Sequence, residues 1–393
     1  MRLAAPSLYQ SVRFARSWKI MPFNPQDVSL TSQAAGRPSR IVSIGSAVPP
    51  QAYSQEDVLA WAEEDDPKIR RLFRNSHIQS RSLYLTPHDE GGRRQENNEE
   101  LAAKHMQGAL EIGPQAIHAA LEPLGLTPQD VDTLICVTST GMLTPGVSVR
   151  LIEKMGMQAS IQRADLVGMG CNAALNALQL TCGMTRVRPK STAVLLCVEI
   201  CSAAYALDDS MATAVVNSLF GDGAAAVVLQ GDGADGAAGP GPAILDFQSY
   251  IHTETMESMK YVVRENTLTF HIDKEIPYII GAKVDEPVGL LLARWGLEVA
   301  DVDHWVVHSG GKKVIDAICN NLGLSEHDVR HTRGVLEDQG NVSSASVLFA
   351  LERLQAEGVA KPGDTGVMIA MGPGMSIETA LMRWQETAPS QLK

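Results

Sequence analysis

Short apolar runs rich in Val, Ile and Leu alternate along the chain with Ala- and Leu-rich stretches of helical period. "DTLICVTSTG" (132–141), "TAVLLCVE" (192–199), "GAAAVVL" (223–229) and "HWVVHSGG" (304–311) carry three to six apolar residues in a row. Such continuity predicts strands covered on both faces, since a half-exposed strand would alternate with polar residues. "CNAALNALQL" (171–180) and "SVLFALERL" (346–354) predict helices, each entered from a glycine followed closely by a polar residue. Strands and helices in this alternation predict a layered α/β architecture.

The pattern also repeats. "LEPLGLTPQDVDTLICVTSTG" (121–141) and "LARWGLEVADVDHWVVHSGG" (292–311) share a frame of Gly-Leu, then Asp-Val-Asp, then an apolar run. Gly125 matches Gly296 and Asp130–Asp132 matches Asp301–Asp303, an offset of 171. Nearly the same offset carries Cys171 to Asn341 in "DQGNVSSASVLFALERL", so the two are expected at equivalent helix N-termini facing a shared centre. "FGDGAAAVVL" (220–229) and "MGPGMSIETALM" (371–382) read as the closing turn and strand of each half. "GDGADGAAGPGPA" (231–243) reads as the linker. The expected organisation is an extension over 1–40, an N-terminal half over 41–235 carrying a cysteine, and a C-terminal half over 244–393 carrying His and Asn.

A net charge of −12 argues against general binding to nucleic acid or an anionic membrane surface, though a small anionic ligand needs only a local basic mouth. The longest apolar run, 192–207, is short for a bilayer span and contains Glu199. Six cysteines without a C-x-x-C pair suit reduced thiols, and no Cys/His spacing suits a metal. Arg2, Arg13, Arg16 and Lys19 precede the first acid, Asp27. That start weakly resembles a transit peptide; a disordered extension, or a true start at Met21, is the working alternative, and a cytoplasmic enzyme is expected.

Cys171 is either a packed thiol or a nucleophile at a helix start, where the dipole and an imidazole would lower its pKa and form a thiolate–imidazolium pair. The best imidazole is His308, polar, at a strand end and followed by two glycines. Asn341 is either a helix N-cap or an uncharged oxyanion donor. Each alone is ambiguous; together they favour covalent acyl chemistry.

These three segments, with "LFGDGAA" (219–225), "TFHI" (269–272) and "MGPGMSIET" (371–379), resemble the type III polyketide synthases, the chalcone synthase family, from about Ile41 to the end. The resemblance implies a homodimer with a thiolase-like duplicated α-β-α-β-α layered fold. It implies that Cys171 carries the acyl chain as a thioester. His308 and Asn341 would promote malonyl-CoA decarboxylation and bind the thioester carbonyl. Phe220 and Phe270 would be aromatic gatekeepers, Lys68, Arg71 and Arg74 the CoA contacts, and Ser139, Cys201, Ala204 and Ser343 the substrate pocket. Asn75 stands where the family usually has a further lysine, so that contact is open, with Arg74 as substitute. CoA thioesters would be substrates; no metal, redox or other cofactor is implied. "GMGCNAALNAL" and the stretch 197–226 resemble the bacterial 3,5-dihydroxyphenylacetyl-CoA synthases of glycopeptide-antibiotic pathways, which use malonyl-CoA as starter and extender. A different acyl-CoA starter (alkylresorcinol, pyrone or chalcone type) or a ketoacyl synthase III-like acyltransferase are the alternatives. A hydroxymethylglutaryl-CoA synthase would want a catalytic glutamate near the cysteine, and the sequence offers none clearly placed.

Overall fold

The apolar runs pair into one nine-stranded sheet. Its order, edge to edge, is His304–Val307, Thr365–Gly372, Ser376–Arg383, Ala243–Ile251, Arg40–Ala47, Gly223–Gln230, Thr192–Glu199, Thr133–Thr138 and Gln162–Val167. The computed structural model describes residues 38–88, 95–208, 210–231, 241–264 and 267–384. The expected extension up to residue 37 and most of the linker (232–240) lie outside the described residues.

Read outward from the centre, the order is symmetric. Four strands on one side mirror four on the other, and Gln162–Val167 is an extra edge strand of the N-terminal half. The two sets are joined by one residue pair, Arg40 opposite Ala243, so they behave as two sheets meeting at a corner. Side-chain alternation then builds the layers. In Thr192–Glu199, Ala193, Leu195 and Cys197 pack on the helices Ala173–Val187 and Ser346–Glu357, while Val194, Leu196 and Val198 pack on the helix Asn98–Leu121. In Thr365–Gly372, Met368 and Ala370 enter the same central cluster, while Val367, Ile369 and Met371 face the helices Asp285–Ala293 and Lys312–Leu322. The result is helix, sheet, helix, sheet, helix: the thiolase-like layering.

The duplication extends to single hydrogen bonds. Gly125 and Gly296 both hold φ 64°, and each is followed by a capped 3₁₀ turn, Pro128–Asp130 and Val299–Asp301. Asp132 exchanges two bonds with Thr192: its N–H donates to Thr192 O and its Oδ2 accepts from Thr192 N, both 2.9 Å. Asp303 does the same with Thr365 at 2.9 and 2.8 Å.

One expected equivalence is corrected. The offset grows from 171 between Asp132 and Asp303 to 173 between Thr192 and Thr365. The turn Gly170–Asn172 therefore matches Ser343–Ala345, each leading directly into a central helix. Cys171 is the counterpart of Ser344, and Asn341 lies two residues before its turn. The positive φ is shared one position earlier, at Gly170 (80°) and Ser343 (47°). Among the described residues, no helix is long and apolar enough to cross a membrane.

Candidate active site

The two central helices begin close together, and their entry turns are locked by contacts that admit little else. A Cβ on Gly170 would come within 2.2 Å of Pro373 Cδ, and one on Gly372 within 1.9 Å of Asn172 Oδ1. The positive φ at Gly170 and this close approach explain why "GMGC" needs glycine before the thiol. Cys171, 4% exposed, donates its thiol hydrogen to Ser343 Oγ across 3.6 Å, which ties the two pseudo-equivalent turns together.

Asn341 is fixed by backbone bonds on both sides. Its N–H donates to Leu219 O (2.9 Å) and its carbonyl accepts from Gly221 N (3.0 Å), placing Phe220 alongside it. Its Oδ1 accepts from Ser343 N (2.9 Å) and Ser346 Oγ (3.4 Å). The side chain therefore caps the turn through its oxygen, while its NH₂ has no partner among the described residues. Capping and donation, expected to compete, use different ends of one amide. His308 follows the strand His304–Val307, with its N–H on Ile369 O (2.8 Å). Ser309 Oγ donates to Gly340 O (3.2 Å), joining the His308 and Asn341 loops. His308 Nδ1 is buried without a partner.

A cavity of about 370 Å³ opens beside Cys171. Of the expected residues, Ser139, Cys201, Ala204, Phe220, Phe270 and Ser343 line it together with Cys171; His308 and Asn341 do not. Phe220 and Phe270 meet edge to face, ring centroids 5.8 Å apart and planes at 87°.

Burial works against the expected ion pair. Burial pushes the Cys171 thiol up to about 12, and the Glu199 charge works in the same direction. Burial also pulls His308 down to about 3. In this dry site a standing charge on either group is costly, which favours the thiol and the neutral imidazole.

Two residues escaped the sequence reading. Glu199, fully buried, accepts from Ser139 N (2.8 Å), Thr140 Oγ1 (3.0 Å) and Ser344 Oγ (2.5 Å). A glutamate does therefore reach the surroundings of the cysteine, but its oxygens are occupied by these donors and by Thr138 Oγ1 at 3.5 Å. A lone carboxylate closing an otherwise apolar strand was the available signal. Tyr261 also lines the cavity; only hairpin register reveals it.

The basic helix Pro67–Arg74 is capped by Asp66 and buries Ile69 and Phe73. Lys68 and Arg71 are exposed without an ion-pair partner among the described residues, whereas Arg74 is engaged by Glu56 at 2.8 Å. Glu56 is shared with Arg70, which holds its other oxygen at 2.8 Å. Ile69 and Phe73 border a second hollow of about 280 Å³ with Ala206 and Ala214.

Among the described residues, no cluster of His, Cys, Asp and Glu could hold a metal ion. Residues 245–385 match the family described as "Chalcone and stilbene synthases, C-terminal domain", and 68–239 match "FAE1/Type III polyketide synthase-like protein". The chain is 50% identical to a 3,5-dihydroxyphenylacetyl-CoA synthase of Streptomyces toyocaensis over 350 residues, 88% of this chain and 90% of that protein. It is 31% identical to a 1,3,6,8-tetrahydroxynaphthalene synthase of Streptomyces peucetius subsp. caesius, covering 88% and 94%. The crystal structure of PKS-I from the brown alga Ectocarpus siliculosus superposes with a TM-score of 0.81 at 28% identity, covering 89% of this chain and 99% of that one.

Proposed function

The chain belongs to the type III polyketide synthases, the chalcone and stilbene synthase family, and on that premise we propose that it makes 3,5-dihydroxyphenylacetyl-CoA from malonyl-CoA, used as both starter and extender. The observation that carries the product is the gap between 50% identity to a synthase of that compound and 31% to a relative with another product.

In this reading Cys171 Sγ attacks the thioester carbonyl of the starter, His308 takes the thiol proton, and CoA leaves as the thiol. Because both groups rest neutral, the proton moves as the carbon–sulfur bond forms. Malonyl-CoA then loses CO₂, and the enolate oxygen accepts hydrogen bonds from His308 and the free NH₂ of Asn341. The enolate carbon attacks the Cys171 thioester and releases the thiolate. The extended chain, now on CoA, returns to Cys171 for the next round and finally closes a ring. Phe220 and Phe270 keep water from the carbanion equivalent, which it would protonate.

Lys68 and Arg71, exposed and without an ion-pair partner among the described residues, are assigned to the CoA phosphates. A homodimer is supported by the edge strand Gln162–Val167, around which Val167, Met169 and Leu180 are 39, 37 and 52% exposed. A second copy of that edge would cover them.

The test is purified protein incubated with malonyl-CoA alone, with products followed by mass spectrometry. An aromatic CoA ester built from four malonyl units is expected. Release of only CO₂ and acetyl-CoA would assign another starter, and inertness would favour a carrier-protein-dependent condensing enzyme.

A further inference from the structure

The helix Met211–Leu219 leads straight into Phe220 and ends without a left-handed cap, since Phe220 is extended (φ −82°, ψ 147°). Its last carbonyls must therefore find partners elsewhere. Val216 O accepts from Phe220 N (3.1 Å), and Leu219 O from Asn341 N (2.9 Å). Ser218 O accepts from Gln55 Nε2 (2.9 Å). The carbonyls of Asn217 and of Phe220 itself both meet one side chain, the guanidinium of Arg81.

Arg81 is fully buried, on the short strand Ser80–Ser82. Its Nη1 lies 2.7 Å from Asn217 O, 2.7 Å from Phe220 O and 2.9 Å from Tyr205 Oη, and its Nη2 donates to Gln55 Oε1 at 2.7 Å. All four acceptors are uncharged. Asp222 acts on the guanidinium through space, its own oxygens being held by Ser202 and the Tyr84 N–H. A buried cation thus stands against carbonyl dipoles at the negative end of a helix.

The same side chain reaches the support of the oxyanion donor. A Cβ on Gly340 would come within 2.8 Å of Arg81 Cδ, so the stem of Arg81 lies against the residue before Asn341. Phe220 and Asn341 are themselves joined as a backbone bridge. Arg81 touches the supports of both groups without lining the cavity. We propose that Arg81 is a positioning residue for decarboxylation: by holding the carbonyls at the end of Met211–Leu219 it fixes Phe220 and, through the bridge, aims the Asn341 amide at the thioester carbonyl of malonyl-CoA. This rests on the mechanism proposed above.

The experiment uses full-length Arg81→Lys, Asn341→Ala and the double variant, with labelled CO₂ release from malonyl-CoA as the readout. Lysine keeps the charge but cannot span two carbonyls as the planar fork does. Arg81→Lys is expected to lower kcat about tenfold with KM within about threefold, as misplacement of a donor allows. In the Asn341→Ala background the same substitution should cost less than about threefold, because the amide it aims is gone. An equal factor in both backgrounds, the mark of a merely structural role, would overturn the proposal. Where Arg81→Lys yields no folded protein, Tyr205→Phe, which removes the hydroxyl between Arg81 and Phe220 O, carries the same pair of comparisons with a loss of about threefold. Hydrogen exchange without substrate separates this inference from the proposed function. Exchange should quicken at 217–222 and 338–343 and stay unchanged in the helix Ala173–Val187. Should wild type release no CO₂ from malonyl-CoA, the proposed function fails and exchange alone decides: quickening at both segments supports the positioning, and no change overturns it.

Discussion

The two halves share a backbone plan and differ in what each turn carries into the centre. In the N-terminal half the entry turn presents Cys171 to a cavity; in the C-terminal half the equivalent residue, Ser344, is fully buried and donates to Glu199. The C-terminal half contributes its polar groups from just outside the turn, Asn341 two residues before it and His308 on a neighbouring loop. Duplication therefore supplied the scaffold and two helix starts, and local sequence divided the labour. In the proposed mechanism one half holds the acyl group, and the other stabilises the carbanion equivalent. The lesson is that equivalence of fold position does not transfer chemistry; exposure to the cavity and the partner of each side chain decide it.

The comparison breaks most visibly at Cys171. Cys171→Ala is expected to abolish polyketide formation, a loss of at least about 10³-fold, while malonyl-CoA decarboxylation persists in part through His308 and Asn341. Introducing Ser344→Cys into that variant should restore nothing, because position 344 does not line the cavity. A folded Cys171→Ala that still made polyketide would remove the distinction between halves.

Asn341→Ala tests the other half. Decarboxylation should fall roughly 10²-fold, as for loss of one oxyanion donor, and acyl loading on Cys171 should fall much less. Labelled CO₂ release and labelled transfer to protein separate the two. Equal losses would reduce Asn341 to its capping role.

Smaller effects sharpen the account of the entrance. Lys68→Ala and Arg71→Ala are each expected to raise KM for malonyl-CoA by about three- to tenfold with kcat nearly unchanged. Arg74→Ala should shift it less than about twofold, since Glu56 already holds that cation. A larger effect from Arg74 than from Lys68 would reverse the assignment.

A separate effect falls on stability. His308 and His105 are held by burial down to about 3 and about 4. Below the ordinary histidine pKa near 6.5 the unfolded chain takes up protons that the folded chain refuses. Stability is thus complete above that value and declines as pH falls toward 4, by about 1.4 kcal/mol per pH unit for each such histidine. His308→Gln should flatten the decline of Tm between pH 6.5 and 4.5, measured by calorimetry. A slope equal to wild type would mean that His308 is protonated in the folded chain.

Much of this was legible in the chain because glycine and periodicity speak locally. Gly125 and Gly296 mark the repeated turns, and the continuous apolar runs predict strands buried on both faces. Cys171 and His308 each follow or precede glycines at the end of an element. What was not legible depends on register and environment. Tyr261 faces the cavity only because it pairs with Phe270 across a hairpin. Glu199 read as a residue that bars a membrane span, and nothing local says that its carboxylate meets Ser344 from the other half. The thiol state of Cys171 follows from how much water its surroundings exclude, which sequence spacing does not encode.

Division of labour between the halves is tested most directly by mapping the acyl group. The protein is mixed with malonyl-CoA for seconds, quenched in acid, digested and read by mass spectrometry. The account predicts thioester-linked acyl chains on the peptide bearing Cys171 and none on those bearing Cys136, Cys182, Cys197, Cys201 or Cys319. Acyl chains on another cysteine, or product formed with Cys171 never acylated, would contradict it.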